Sequence, residues 1–172
     1  MARKLVSRKR DGTFTLNLGE DEQALLTALA EQLDPLLDDP SADPGLRRLF
    51  PPARTDDLLA EAQWEIEQGA HLRDARRAAL EVVRAPEPGP LTEEAVITWL
   101  QGINALRLVL AERLEVDGDQ RAEETALTRA LAIAEDPDLD LDERDRARRI
   151  VHMWQVYELL GVMVAHAVRA LG

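Results

Sequence analysis

The chain has 172 residues with 33 acidic and 21 basic side chains, a formal charge of -12, no cysteine and six aromatic residues. A chain of this length buries about two thirds of its unfolded surface on folding, so it requires no metal or disulfide staple. The lack of cysteine excludes a disulfide framework, a thiolate nucleophile and any sulfur-ligated zinc or iron-sulfur site, and it points to a reducing, cytoplasmic setting.

The charge is divided. Arg3, Lys4, Arg8, Lys9 and Arg10 place five positive charges and no acid in the first ten residues, which leaves 16 arginines against 33 acids in the remainder. No apolar run follows this basic start, so it does not read as a secretory signal. From Lys4 to Leu18 the pattern predicts a β-hairpin turning at Asp11-Gly12, because that pair suits the positive φ angles of a two-residue type I′ turn. With Arg10 opposite Thr13, Leu5, Ser7, Phe14, Leu16 and Leu18 share one face, with Lys9 at its turn end. Lys4, Val6, Arg8, Arg10, Thr13, Thr15 and Asn17 share the other, which is therefore basic. An isolated hairpin is marginal in water, so its apolar face must pack on helices or on a second copy.

After Gly19, the acids Glu20, Asp21 and Glu22 favour a helix start, and Leu25, Leu26, Leu29 and Leu33 recur at helical spacing until Pro35. Residues 34–57 hold five prolines, which leaves room for one short helical turn around Leu46 to Phe50 in an ordered connector. A long helix is expected from Asp56 to Arg84, with Leu59, Ala62, Ile66, Leu72, Ala75, Ala79, Leu80 and Val83 toward the core. The breaker Ala85 to Pro90 precedes Thr92, an N-cap for a helix reaching Leu114 that buries Val96, Trp99, Leu100, Ile103, Leu106, Leu110 and Leu114. A shorter helix runs from about Gln120 to Ala134. The last spans about Asp142 to Leu171, with Ile150, Trp154, Tyr157, Gly161, Val164, Val168 and Leu171 as its apolar stripe.

These elements predict a mainly α fold, a helical bundle of about five helices with a short N-terminal β-hairpin, in a single domain over residues 1–172. Its expected parts are the hairpin (1–18), a first helical half with its Pro-rich connector (19–84), a linker (85–91) and a second helical half (92–172). Ile150 to Leu171 is long enough to span a bilayer, but Glu158 at its centre would cost about 2.5–3.5 kcal/mol there. The segment therefore reads as a helix buried in protein, and no membrane partner is expected.

Little in the chain carries chemistry. Asp136, Asp138, Asp140, Asp142, Glu143 and Asp145 crowd one loop, yet an EF-hand register starting at Asp138 would put Glu143 where glycine is needed and Arg149 where a bidentate glutamate belongs. His71, His152 and His166 offer no i, i+4 pair, and the last two lie about 21 Å apart by helical rise. Ser7 and Ser41 are the only serines, and neither sits in a nucleophile elbow. No catalytic residue, metal ligand or cofactor is therefore expected, and the protein does not read as an enzyme.

Two polar groups interrupt apolar helices, Arg107 (beside Asn104) and Glu158. They are expected either to form a structural ion pair or to extend separately to the surface. The remaining signal is the basic hairpin. A two-stranded ribbon enters a major groove, so Lys4, Arg8, Lys9 and Arg10 are the expected nucleic-acid contacts, while the acidic body points away and is screened over about 8 Å at physiological salt. The other arginine groups, Arg73, Arg76, Arg77 and Arg84, then Arg144, Arg146, Arg148 and Arg149, read as exposed side chains balancing nearby acids.

Three segments carry a family resemblance: Trp99-Leu-Gln-Gly-Ile-Asn-Ala-Leu-Arg-Leu-Val-Leu-Ala-Glu-Arg-Leu114, Asp43-Pro-Gly-Leu-Arg-Arg-Leu-Phe-Pro-Pro52 and Met153-Trp-Gln-Val-Tyr-Glu-Leu-Leu160. With the basic opening strand, they resemble an actinobacterial domain-of-unknown-function family that includes the oxidative-stress transcription regulator AosR. The resemblance implies a cytoplasmic homodimer with a regulatory role at DNA or on the transcription machinery. Two positions depart from the family pattern. Ala105 replaces an acidic residue, and the absence of cysteine removes any thiol-based redox switch. The expected function is thus a non-enzymatic regulator of AosR-like type without cysteine sensing. The alternative is an adaptor that presents an acidic surface to a protein partner and binds no DNA.

Overall fold

A computed structural model describes residues 3–51 and 58–172. Strands β1 (Val6–Arg8) and β2 (Phe14–Leu16) pair antiparallel, with Val6 opposite Leu16 and Arg8 opposite Phe14. This register differs by one residue from the sequence expectation. The loop has three residues, not two: the Lys9 N–H donates to the Thr13 carbonyl at 2.7 Å and the Gly12 N–H to the Lys9 carbonyl at 3.1 Å. Only Gly12 takes a positive φ in this loop, +86°, where a type I′ turn would require one at Asp11 as well. Asp11 instead turns its carboxylate forward, accepting the Thr13 N–H at 3.0 Å and the Thr13 hydroxyl at 2.6 Å.

A one-residue slip exchanges the faces of one strand relative to the other. Val6 and Arg8 therefore share a face with Phe14 and Leu16, and the Arg8 guanidinium carbon lies 5.6 Å from the centroid of the Phe14 ring. The expected division into a basic and an apolar face is not the one that forms. Phe14, fully buried, also exchanges two backbone hydrogen bonds with Leu91, at 2.9 and 2.8 Å, which fastens the segment before Thr92 to the hairpin.

Five α-helices follow among the described residues: α1 (Glu20–Leu33), α2 (Leu58–Arg84), α3 (Glu93–Arg113), α4 (Gln120–Glu135) and α5 (Leu141–Leu171). The starts are closed by side chains. Glu22 accepts the Gly19 N–H at 2.7 Å, Thr92 accepts the Ala95 N–H at 3.2 Å, and Asp140 accepts the Glu143 N–H at 2.8 Å. The Pro-rich connector is three short 3-10 turns, Asp34–Asp38, Pro40–Ala42 and Pro44–Leu46. The sequence left room for one short turn around Leu46 to Phe50, whereas three form, each with a proline in its first two positions and the last ending at Leu46; Leu46 and Leu49 are buried as an ordered connector requires. Pro52 and the expected start of α2 at Asp56 lie outside the described residues.

One hydrophobic cluster joins the hairpin, α1, the connector, α2, α3 and α5. The helix α3 is central, with Val96, Trp99, Ile103 and Ala105 at zero exposure. Gly102 lets α2 approach: a Cβ there would stand 2.6 Å from the Ala79 carbonyl oxygen and 2.5 Å from a Val83 methyl. Ala105 is sealed inside the same helix, so the acidic side chain expected from the family pattern would have no water at this position.

Two apolar stripes end differently from their sequence pattern. In α2, Ala79, Leu80 and Val83 are buried, but Leu59 and Ile66 are 82% and 76% exposed. The covered part is the C-terminal end, where Gln23 of α1 donates to the Val83 carbonyl at 2.9 Å and Thr27 to the Arg84 carbonyl at 3.2 Å. In α5, Trp154 and Tyr157 are buried as expected. Beyond them the buried stripe follows Leu160, Met163 and Ala167, leaving Val168 exposed. The cause is that β1 and α3 both pack on this half of α5 and draw a different set of side chains inward.

Candidate nucleic-acid interface

Lys4, Arg8, Lys9 and Arg10 are all exposed. Among the described residues none of them forms an ion pair, whereas Arg3 next to them is bound to Glu22. The ribbon that carries them is fastened at its base by hydrogen bonds. Asn17 donates its amide to the Lys4 carbonyl at 2.8 Å and to the Ser7 hydroxyl at 2.7 Å. The buried Leu5 donates its N–H to His166 Nδ1 at 3.1 Å, across 161 residues of sequence.

This attachment builds a cleft of about 350 Å³ between β1 and the end of α5, into which Lys4, Arg8, His166 and Arg169 contribute polar side chains. The structure thus brings Lys4 and Arg8 together. Strand alternation sends Lys9 to the opposite face, and Arg10 sits in the loop. His166 and Arg169 were not among the sequence candidates. Their only local signal is a position in the last turns of a helix, and nothing near them in sequence announces the hairpin.

Arg107 and Glu158 do not meet. Among the described residues no ion pair joins them; Glu158 is exposed, and Arg107 donates to the Tyr157 hydroxyl at 3.0 Å with its guanidinium carbon 4.6 Å from the centroid of that ring. Gly161 lies beneath, where a Cβ would touch the guanidinium Nε at 3.5 Å. The neighbour one residue earlier on α5 takes the place expected of the carboxylate, because helical rotation points Tyr157 inward and Glu158 outward.

The other charge clusters are paired only in part: among the described residues, Arg148 alone of Arg144, Arg146, Arg148 and Arg149 forms an ion pair, with Asp145 at 2.8 Å. Arg77 pairs with Asp34 and Asp38, which raises its already high pKa through the carboxylate hydrogen bonds, and Arg84 pairs with Glu81. Arg76 is half-buried, and that burial pushes its pKa down. In the acidic loop Asp136 accepts the Asp138 N–H at 2.9 Å, completing a turn. Among the described residues no three His, Asp or Glu side chains converge as a metal ion would need, and no helix is long and apolar enough to cross a membrane.

Residues 2–171 match the sequence model of a family described as a domain of unknown function, DUF2017. Neither a curated protein nor a solved structure matches the chain.

Proposed function

The chain belongs to the DUF2017 family, and on that premise we propose that it is a non-enzymatic regulatory protein that grips the phosphate backbone of nucleic acid with its N-terminal ribbon. The observation that carries this reading is the set of exposed cations on the ribbon, unpaired among the described residues, with Arg169 and His166 added at the same cleft. A chain of net charge -12 has ample carboxylates to pair with them, and among the described residues it forms ion pairs with Arg3 and Arg77 but not with these. The resemblance to AosR-like transcription regulators supports the same role. Without cysteine, its control is not through a disulfide. In a homodimer two ribbons about 34 Å apart would meet successive half-sites of duplex DNA.

Fluorescence anisotropy of a labelled duplex between 50 and 200 mM salt tests this. Each lost phosphate contact lowers the salt slope by about 0.9, so Arg8→Ala with Arg10→Ala should flatten it by up to about 2 and weaken binding uniformly across sequences. Binding that is absent, or equal in wild type and variant, rejects the reading. Absence would favour the adaptor, whose supporting feature is the excess of acids outside the ribbon.

A further inference from the structure

We infer that the cavity between the Pro-rich connector and α2 is a binding site for a small aromatic carboxylic acid, a ring joined to one carboxylate by a short apolar chain. This goes beyond the nucleic-acid reading and does not use the ribbon. The cavity measures about 500 Å³, within the range of about 300–1,000 Å³ typical of small-molecule sites. Of the six aromatic side chains, Phe14, Trp99, Trp154 and Tyr157 are buried in the core. The other two, Phe50 and Trp64, are half-buried, and both line this cavity, one from the connector and one from α2. Leu46, Leu72 and three prolines add to its apolar lining. Aromatic rings on two sides of an apolar space suit a flat aromatic body.

Gly69 opens the cavity. Glycine is the poorest helix former after proline, yet Gly69 stands inside α2 and lines this space, where a Cβ would meet nothing within 4 Å. No close neighbour requires it, as the Ala79 carbonyl requires Gly102, so the room it leaves belongs to the cavity. The polar lining sets the charge of the ligand. Of the described lining residues Asp43 alone is acidic, and it is committed: its carboxylate accepts the Gly45 N–H at 2.8 Å and pairs with Arg113 at 3.0 Å. Arg73 lines the cavity half-buried, with no ion pair among the described residues and one long hydrogen bond, 3.5 Å, to the Asp38 carbonyl. Arg47 reaches Glu112 at 3.8 Å, on a carboxylate that Arg48 already holds at 2.8 Å. A ligand that fills the apolar space takes water from Arg73, and a guanidinium desolvated without a carboxylate is strongly unfavourable. A carboxylate on the ligand meets that need with charge-assisted hydrogen bonds. From Trp64 to Arg73 the helix rises about 14 Å, a span that a phenyl ring, a propyl chain and the arginine side chain cover together.

The test follows the indole N–H signals of the three tryptophans in the full chain by nitrogen–proton correlation spectroscopy, with the Trp64 signal identified by its loss in Trp64→Phe. Titration with 4-phenylbutyrate should shift the Trp64 signal saturably and leave those of Trp99 and Trp154 in place. The uncharged 4-phenylbutyramide should bind at least about fivefold more weakly, as expected when a charged hydrogen-bond partner is replaced by a neutral one. Butyrate, which lacks the ring, should produce no shift. Gly69→Leu should abolish the response while melting at or above the wild-type temperature, because leucine is the better helix former and has room there. Arg73→Gln should bring the acid down to the affinity of the amide and leave the amide unchanged. Acid and amide binding alike, a Trp64 signal that fails to move or to saturate, or indifference to Gly69→Leu overturns the inference. So does an equal response of all three indoles, which marks non-specific contact.

Discussion

The Arg107 guanidinium stacks on the Tyr157 ring and donates to its hydroxyl, one residue short of the carboxylate at Glu158. A cation over an aromatic face contributes about 0.5–2 kcal/mol and a hydrogen bond from a charged donor about 1.5–3 kcal/mol. Arg107→Ala should therefore cost about 1–3 kcal/mol, and Glu158→Ala should stay within about 0.5 kcal/mol, as exposed substitutions do. A double-mutant cycle by urea denaturation should find coupling between Arg107 and Tyr157 and none between Arg107 and Glu158. The opposite pattern would restore the ion pair.

Gly102 and Gly69 should respond in opposite senses to alanine. At Gly102 the added methyl meets the Ala79 carbonyl and a Val83 methyl at 2.6 and 2.5 Å, so α2 and α3 must separate, and a loss of about 1–3 kcal/mol is expected despite the better helix propensity. At Gly69 nothing lies within 4 Å, and alanine should stabilise by about 0.4–1 kcal/mol. Melting temperatures of the two variants check this directly.

His166 anchors the ribbon. His166→Ala leaves the buried Leu5 N–H without its acceptor, a loss of about 1–3 kcal/mol. Amide hydrogen exchange should speed up at Leu5 and along β1 while Trp99 and its neighbours in α3 stay protected. Uniform acceleration throughout the chain would mean that the contact does not act locally.

The hairpin loop should be sensitive to acid. The Thr13 hydroxyl, and then the Thr13 N–H, hold the Asp11 carboxyl below its ordinary value. The carboxylate therefore adds stability above the unfolded aspartate pKa, and that contribution disappears as pH falls through the lower native value. The difference in melting temperature between wild type and Asp11→Ala should be constant near neutrality and shrink toward pH 2. A difference that grows in acid would contradict the hydrogen bonds to Thr13.

The main outline was legible because its signals are local. Thr92 marks a helix start, Pro35 and the Ala85 to Pro90 run mark interruptions, and the spacing of Val96, Trp99 and Ile103 declares a central helix, whereas Asp140 shows itself as an N-cap only in the structure. The hairpin was legible in kind but not in register, since Asp11-Gly12 suits both a two-residue and a three-residue loop, and the side-chain bonds of Asp11 to Thr13 select the latter. Periodicity also overstated α2. It shows that Leu59 and Ile66 lie on the apolar side of a helix, but coverage depends on where α1 ends and how closely Gly102 draws in the other half.

By itself the sequence determined the composition of the ribbon, its separation from an acidic body and the absence of thiol chemistry, because these are properties of residue identity. Tertiary structure decided which cations stand together. Lys4 and Arg8 meet His166 and Arg169 only because the Leu5 N–H reaches across the chain to Nδ1, and Arg107 faces Tyr157, not Glu158, because a helix turns about 100° per residue and packing admits one of the two neighbours. Contacts between residues far apart in sequence depend on the docking of whole elements, and no local pattern encodes that geometry.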